Sequence, residues 1–179
     1  MAFGNRAKTD PITTTYTAEV YPLGTRYVQP ADEVVAALHT NGTTALGLQG
    51  PRTWVFVRAT VALAAYDCVL QNDVTVTKSR YNVRPCAEAG AASLRVMGVA
   101  QHAIAITNYG WIVCDGQVVV KGAAGITMGL FLDTHTTSGM VDDNTAAGTL
   151  IGLSLSITGT LPSGTAAAGL IGADIRLSQ

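Results

Sequence analysis

The segment Trp111-Ile112-Val113-Cys114-Asp115-Gly116-Gln117-Val118-Val119-Val120 sets two β-branched runs on either side of an Asp-Gly pair. Valine and isoleucine favour the extended backbone. Asp-Gly suits a two-residue hairpin, whose central positions need positive φ. The segment therefore predicts a hairpin turning at Asp115-Gly116. Outward from it, short apolar runs at 54–57, 68–70, 74–77, 94–99, 126–132, 149–157 and 171–177 read as further strands. In the last, Ala173, Ile175 and Leu177 share one face while Asp174 and Arg176 share the other. Gly110, Gly116, Gly122, Gly125, Gly139 and Gly148 punctuate the series, and no amphipathic helix is evident after residue 51. A βαβ fold would need such helices; short strands with glycine breaks predict an all-β chain, a small antiparallel β-barrel or sandwich over residues 51–179. Gly98 and Gly152, each inside an apolar strand, predict bulges or barrel corners. No internal repeat is evident.

Residues 1–50 read differently. Pro11, Pro22, Pro30 and the Thr13-Thr14-Thr15 cluster interrupt any alternation. Such a stretch predicts an extended N-terminal arm that orders by lying on something else. Within it, Asp32-Glu33-Val34-Val35-Ala36-Ala37-Leu38-His39 opens on acidic residues and is followed by Asn41-Gly42. That predicts a short helix near 31–40, in competition with a hairpin turning at Asn41-Gly42.

Composition narrows the function classes. The chain has 179 residues, of which 48% are hydrophobic, 13% charged and 6% aromatic. Eleven Lys and Arg against 12 Asp and Glu leave a net charge of −1. A nucleic-acid-binding surface needs a basic excess, so no nucleic-acid partner is expected. The mean hydropathy of +0.30 excludes a charge-rich disordered chain. The longest apolar run, 54–70, is broken by Arg58 and Asp67 and is too short between them to span a bilayer, so no membrane partner is expected. The start, MAFGNRAKTDPITTTY, carries no secretory signal. Three cysteines, Cys68, Cys86 and Cys114, without CxxC spacing signal neither a disulfide framework nor a zinc site. A reducing cytoplasm is expected during synthesis. A low-charge surface suits burial against other chains, and predicts a homo-oligomer.

Candidate chemistry is sparse, and no catalytic, cofactor-binding or metal-ligating residue is assigned. Of His39, His102 and His135, only the last has a neighbour at ligand spacing, Asp133, and no third ligand follows. Asp142-Asp143 lacks the EF-hand pattern and reads as a solvated turn. Gly152-Leu153-Ser154-Leu155-Ser156 approaches a nucleophile elbow, but it lacks the closing glycine and lies in an alternating strand. Lys121-Gly122 lacks the frame of a phosphate loop. Cys68 and Cys114, in apolar strands, predict buried and inert thiols. Tyr109-Gly110-Trp111 places two large rings at a strand start, with Trp111 expected to cap one end of the barrel. Exposed, Trp54, Tyr109 or Trp111 would instead offer a carbohydrate platform.

Several segments, in order, resemble a family of tailed-bacteriophage head proteins, the capsid decoration (cement) proteins. They are Thr53-Trp54-Val55-Phe56-Val57-Arg58-Ala59, Ala64-Ala65-Tyr66-Asp67-Cys68-Val69, Val96-Met97-Gly98-Val99-Ala100, Asn108-Tyr109-Gly110-Trp111-Ile112-Val113, Gly129-Leu130-Phe131-Leu132, Ser138-Gly139-Met140-Val141-Asp142-Asp143 and Ile151-Gly152-Leu153-Ser154-Leu155. The resemblance covers roughly residues 50 to 177; before it only Leu23-Gly24-Thr25-Arg26 matches. It implies a small β-barrel bound on an icosahedral shell of major capsid protein, as a trimer bridging capsomers, with no cofactor and no catalytic residue. The location implied is the virion surface, after assembly in the host cytoplasm. A head-completion, tail or fibre-associated protein is the alternative within the virion. On this reading the arm reaches over neighbouring subunits, and deleting residues 2–30 leaves the barrel folded.

Overall fold

The computed structural model describes residues 12–30, 39–41, 44–46, 50–72, 80–86, 95–123, 126, 132–143, 153–154 and 169–176. Among them every regular element is a strand: β1 (Arg26–Gln29), β2 (His39–Asn41), β3 (Thr44–Leu46), β4 (Arg52–Ala59), β5 (Cys68–Gln71), β6 (Asn82–Pro85), β7 (Val96–Val99), β8 (Tyr109–Gly122), β9 (Asp133–Thr134), β10 (Met140–Asp142), β11 (Leu153–Ser154) and β12 (Gly169–Arg176). Strands β4, β6, β5, β7 and β8 pair in that order, and β8 returns to β4, closing a five-stranded barrel. Its pairings are antiparallel except β4 with β6, where Arg58 and Ala59 run parallel to Asn82 and Val83. Closure removes free edges from these five strands.

Alternation divides the core into two layers. Val55 and Val57 of β4 face the barrel interior with Val69, Val83, Met97, Ile112 and Cys114, one or more from every barrel strand. Trp54 and Phe56 face outward, with Trp111, Val113, Cys68, Leu70 and Cys86. An outward face this apolar must be covered, and two segments cover it. On one side lie Tyr16, Tyr21, Leu23 and Tyr27; on the other lie Val118, Val120, Ile126, Leu132, Val141 and Ile175. Each fully buried Val, Leu or Phe stabilises the fold by roughly 1.5–3 kcal/mol.

The arm thus lies, over 12–30, on its own barrel. β1 runs antiparallel to β4, pairing Arg26 with Val55 and Gln29 with Arg52. Tyr21 meets Phe56 edge-on, with ring centroids 5.3 Å apart, and lies 5.3 Å from Trp111. The Trp54 indole donates to Gln29 Oε1 at 2.9 Å. Residues 31–38 of the expected helix lie outside the described residues. His39 and Thr40 are strand, and β2 pairs with β3 through Asn41 and Thr44, the competing hairpin.

The hairpin expected at Asp115-Gly116 does not form. β8 runs unbroken through both residues, its first half paired with β4 and its second, from Asp115 to Gly122, paired antiparallel with β12. Two valine-rich halves each find a different partner, so tertiary pairing overrides the local turn preference. Gly116 keeps the positive φ, 102°, but spends it on close approach: a Cβ there would come within 2.5 Å of the Pro51 carbonyl oxygen. The expected bulge at Gly98 is present. The β5–β7 register shifts there, passing from Val69 opposite Gly98 to Leu70 opposite Val96. The expected strand 74–77, and most of 126–132 and 149–157, lie outside the described residues.

A repeat unseen in the sequence emerges in the backbone. Segment 59–67 leads from β4 to β5, and segment 100–108 from β7 to β8; they run antiparallel about Leu63 and Ile104, which exchange hydrogen bonds of 2.9 and 3.0 Å. On either side the same pattern recurs: Ala59 N to Asn108 O (2.9 Å) mirrors Ala100 N to Asp67 O (3.0 Å), and Thr107 N to Ala59 O (2.8 Å) mirrors Tyr66 N to Ala100 O (2.6 Å). Even the strained backbone is matched, with Tyr66 at φ 71° and Thr107 at φ 67°. Positive φ is rare outside glycine, and costly for a β-branched residue such as Thr107. Leu63 and Ile104 are buried in the interior cluster and stop this end of the barrel.

Candidate functional site

The polar residues singled out in the sequence are held by their own turns. Asp133 is buried, and its Oδ1 accepts the Thr134 N–H at 2.6 Å. His135 Nδ1 accepts the Thr137 N–H at 3.0 Å. Asp142 Oδ1 accepts the Asp143 N–H at 2.8 Å. His39 sits in β2 opposite Leu46, and Leu153 and Ser154 form β11 against β12. Among the described residues no three His, Cys, Asp or Glu stand close enough to share a metal ion.

His102 is mostly buried beside Gly110, and neither ring nitrogen has a hydrogen-bond partner. Burial pushes its pKa down to about 4, so the imidazole is neutral. The three thiols are free and buried. Cys68 opens β5 and Cys86 directly follows β6; Cys86 N donates to Cys68 O at 2.8 Å, and Cys86 Sγ donates to Met140 O at 3.0 Å. The hydrogen bond with the Cys86 thiol, then burial, raises the Cys68 pKa well above its ordinary value. Burial pushes Cys114 up to about 11. Raised thiol pKa values make poor nucleophiles at neutral pH.

The aromatic residues are core. Trp54 and Trp111 are buried, and Tyr109 is half-covered, stacked on Phe56 with the Arg58 guanidinium 5.9 Å from its ring centroid. The tryptophans therefore offer no flat exposed platform for a sugar. Trp111 does not cap the barrel end; it lies in the outer layer beneath Tyr21, and its indole N–H is buried without a partner. The buried side chains of the interior are instead all non-aromatic.

What the structure does gather is the paired turns 59–67 and 100–108. Their exposed residues are Val61, Ala62, Ala64, Ala103, Ala105, Ile106 and Thr107, all apolar but the last. The same register that pairs Leu63 with Ile104 and Ala59 with Asn108 sets Val61 across from Ile106. Asp67, at their root, is turned away. Its Oδ2 accepts the Ala64 N–H at 2.7 Å, and its Oδ1 pairs with Lys121 Nζ at 2.6 Å. Gln101 braces the same root from the second turn, its amide bonding both Val119 N–H and Val119 carbonyl on β8. No sequence rule marks this surface, because valine and isoleucine in a β chain are read as core.

Among the described residues, the fold and this surface define a closed five-stranded β-barrel, extended by β1, β9, β10, β11 and β12, with an apolar end. The chain matches no known protein-family model, and no curated protein is significantly similar to it.

Proposed function

We propose that this chain is a structural protein of the tailed-bacteriophage head: a decoration (cement) protein that binds the outer surface of the major capsid protein shell as a homotrimer and bridges capsomers. The observation that carries the reading is where the resembling segments fall. Segments 53–59, 64–69, 96–100 and 108–113 occupy β4, the turn into β5, β7 and the start of β8, neighbouring parts of one closed barrel. Four of the seven resembling segments thus fall in the barrel, while 138–143 lies on β10 beside it. A small rigid barrel loses little conformational entropy on docking, which suits a part repeated many times over a symmetric shell.

Residues 12–30 are committed to their own barrel, so on this reading the bridging contacts come from the barrel's surface rather than from that stretch of arm. Protein quantitation of purified particles tests the proposal. A decoration protein is present in hundreds of copies per particle; a connector or tail part would be present in far fewer. Sedimentation of the isolated chain tests the trimer, with a single species of one chain's mass as the contrary result.

A further inference from the structure

We propose that the paired turns 59–67 and 100–108 are the face by which the molecule seats on its shell, and that they meet an apolar, uncharged protein surface there. The inference rests on the decoration reading and goes beyond it by naming the contact and its chemistry.

Val61 and Ile106 are among the most exposed large apolar side chains of the described residues, at 47% and 56%. Around them the sequence carries no Asp, Glu, Lys or Arg from 59 to 66, or from 96 to 114. His102, the one histidine among them, is held neutral by burial, and Asp67 is spent inward on Lys121. A charged partner surface would lose its water here and gain nothing in return. An apolar one would lose no such interaction.

The face is also fixed in shape. Paired hydrogen bonds at Leu63–Ile104 and at both roots hold it, together with two positive-φ residues at matched positions. Strain of that kind persists only where the surroundings enforce it, and it clusters at functional sites.

Size decides between occupants. Six apolar side chains, four of them alanine, together with Thr107 present roughly a few hundred Å². A stable pair of proteins buries about 1,200–2,000 Å² in total. A second copy seated on this face alone would therefore not stay. A shell that offers the same apolar spot to several linked copies holds them through effective concentration.

The test uses the full chain and shells of the encoding phage grown without this gene. Val61→Lys/Ile106→Lys should retain the parent thermal midpoint, because both sites are exposed, yet bind at least tenfold more weakly. Should the lysines disturb folding, Val61→Ser/Ile106→Ser makes the same comparison with a smaller expected loss. Parent binding should change little between about 50 and about 500 mM salt, where a charge-driven contact would fall steeply. Equal binding by a folded double variant, or a steep salt dependence, overturns the apolar seat while leaving decoration standing. Absence of parent binding to such shells overturns both.

Discussion

Tyr16 and Tyr109 exchange both of their backbone hydrogen bonds, at 2.9 Å and 2.8 Å, tying the N-terminal segment to the start of the strand that carries Trp111. The segment is therefore a structural layer. Removing residues 2–30 takes away β1 and uncovers Trp54, Phe56 and Trp111, so the truncated chain is expected to be severely destabilised rather than left as an intact barrel. Tyr21→Ala alone should cost about 2 kcal/mol, and Val20→Ser, at an exposed neighbour, close to nothing. Urea unfolding followed by tryptophan fluorescence measures both. An unchanged midpoint for Tyr21→Ala would contradict the layer.

Glycine positions separate close approach from backbone strain. Gly98 has φ 150°, and a Cβ there would lie 2.2 Å from the Val113 carbonyl oxygen; Gly50 has φ 98° with nothing within 4 Å. Gly50→Ala should lose only strain, on the order of 1 kcal/mol. Gly98→Ala adds a backbone clash in a close-packed barrel, and should lose about 3 kcal/mol or more. Chemical denaturation of the two variants side by side reads the difference.

Acid stability should carry the mark of His102. The unfolded chain takes up a proton near the ordinary histidine value of 6.5, the folded one only near 4. The contribution of the neutral ring is therefore complete above about 6.5 and is lost progressively as pH falls towards 4. His102→Gln should flatten that part of the stability profile, and an NMR titration of the parent should find the imidazole neutral at pH 5.

Thiol chemistry offers an independent check on packing. Cys68, Cys86 and Cys114 are buried, and the pKa values of Cys68 and Cys114 are raised. Native protein should be almost silent to an aromatic disulfide reagent at pH 8, and all three thiols should react in denaturant. Rapid labelling of the native chain would place at least one cysteine at the surface.

The barrel was legible in the sequence because short β-branched runs broken by glycine have few other ways to bury themselves. Cys68–Leu70, the bulge at Gly98 and the late strand carrying Ile175 all follow from that pattern. The turn at Asp115-Gly116 misled because its signal is local, whereas β8 is decided by β4 and β12, distant in the chain. β6 was missed since Asn82-Val83-Arg84-Pro85 has only one strong strand former. The paired turns were invisible for another reason: their likeness lies in hydrogen bonding and φ, and Tyr66 with Thr107, or Asp67 with Asn108, shares geometry without sharing side chains. Their exposure depends on where the barrel ends, which periodicity does not encode.

The proposed role of the barrel, to cover a shell, can be seen directly. Cryo-electron microscopy of particles with and without the gene tests it most directly. Difference density for a small β-barrel is expected at symmetry-related positions over the outer surface of the head, in hundreds of copies. Density confined to the neck or tail, or particles that lack the chain altogether, would contradict it.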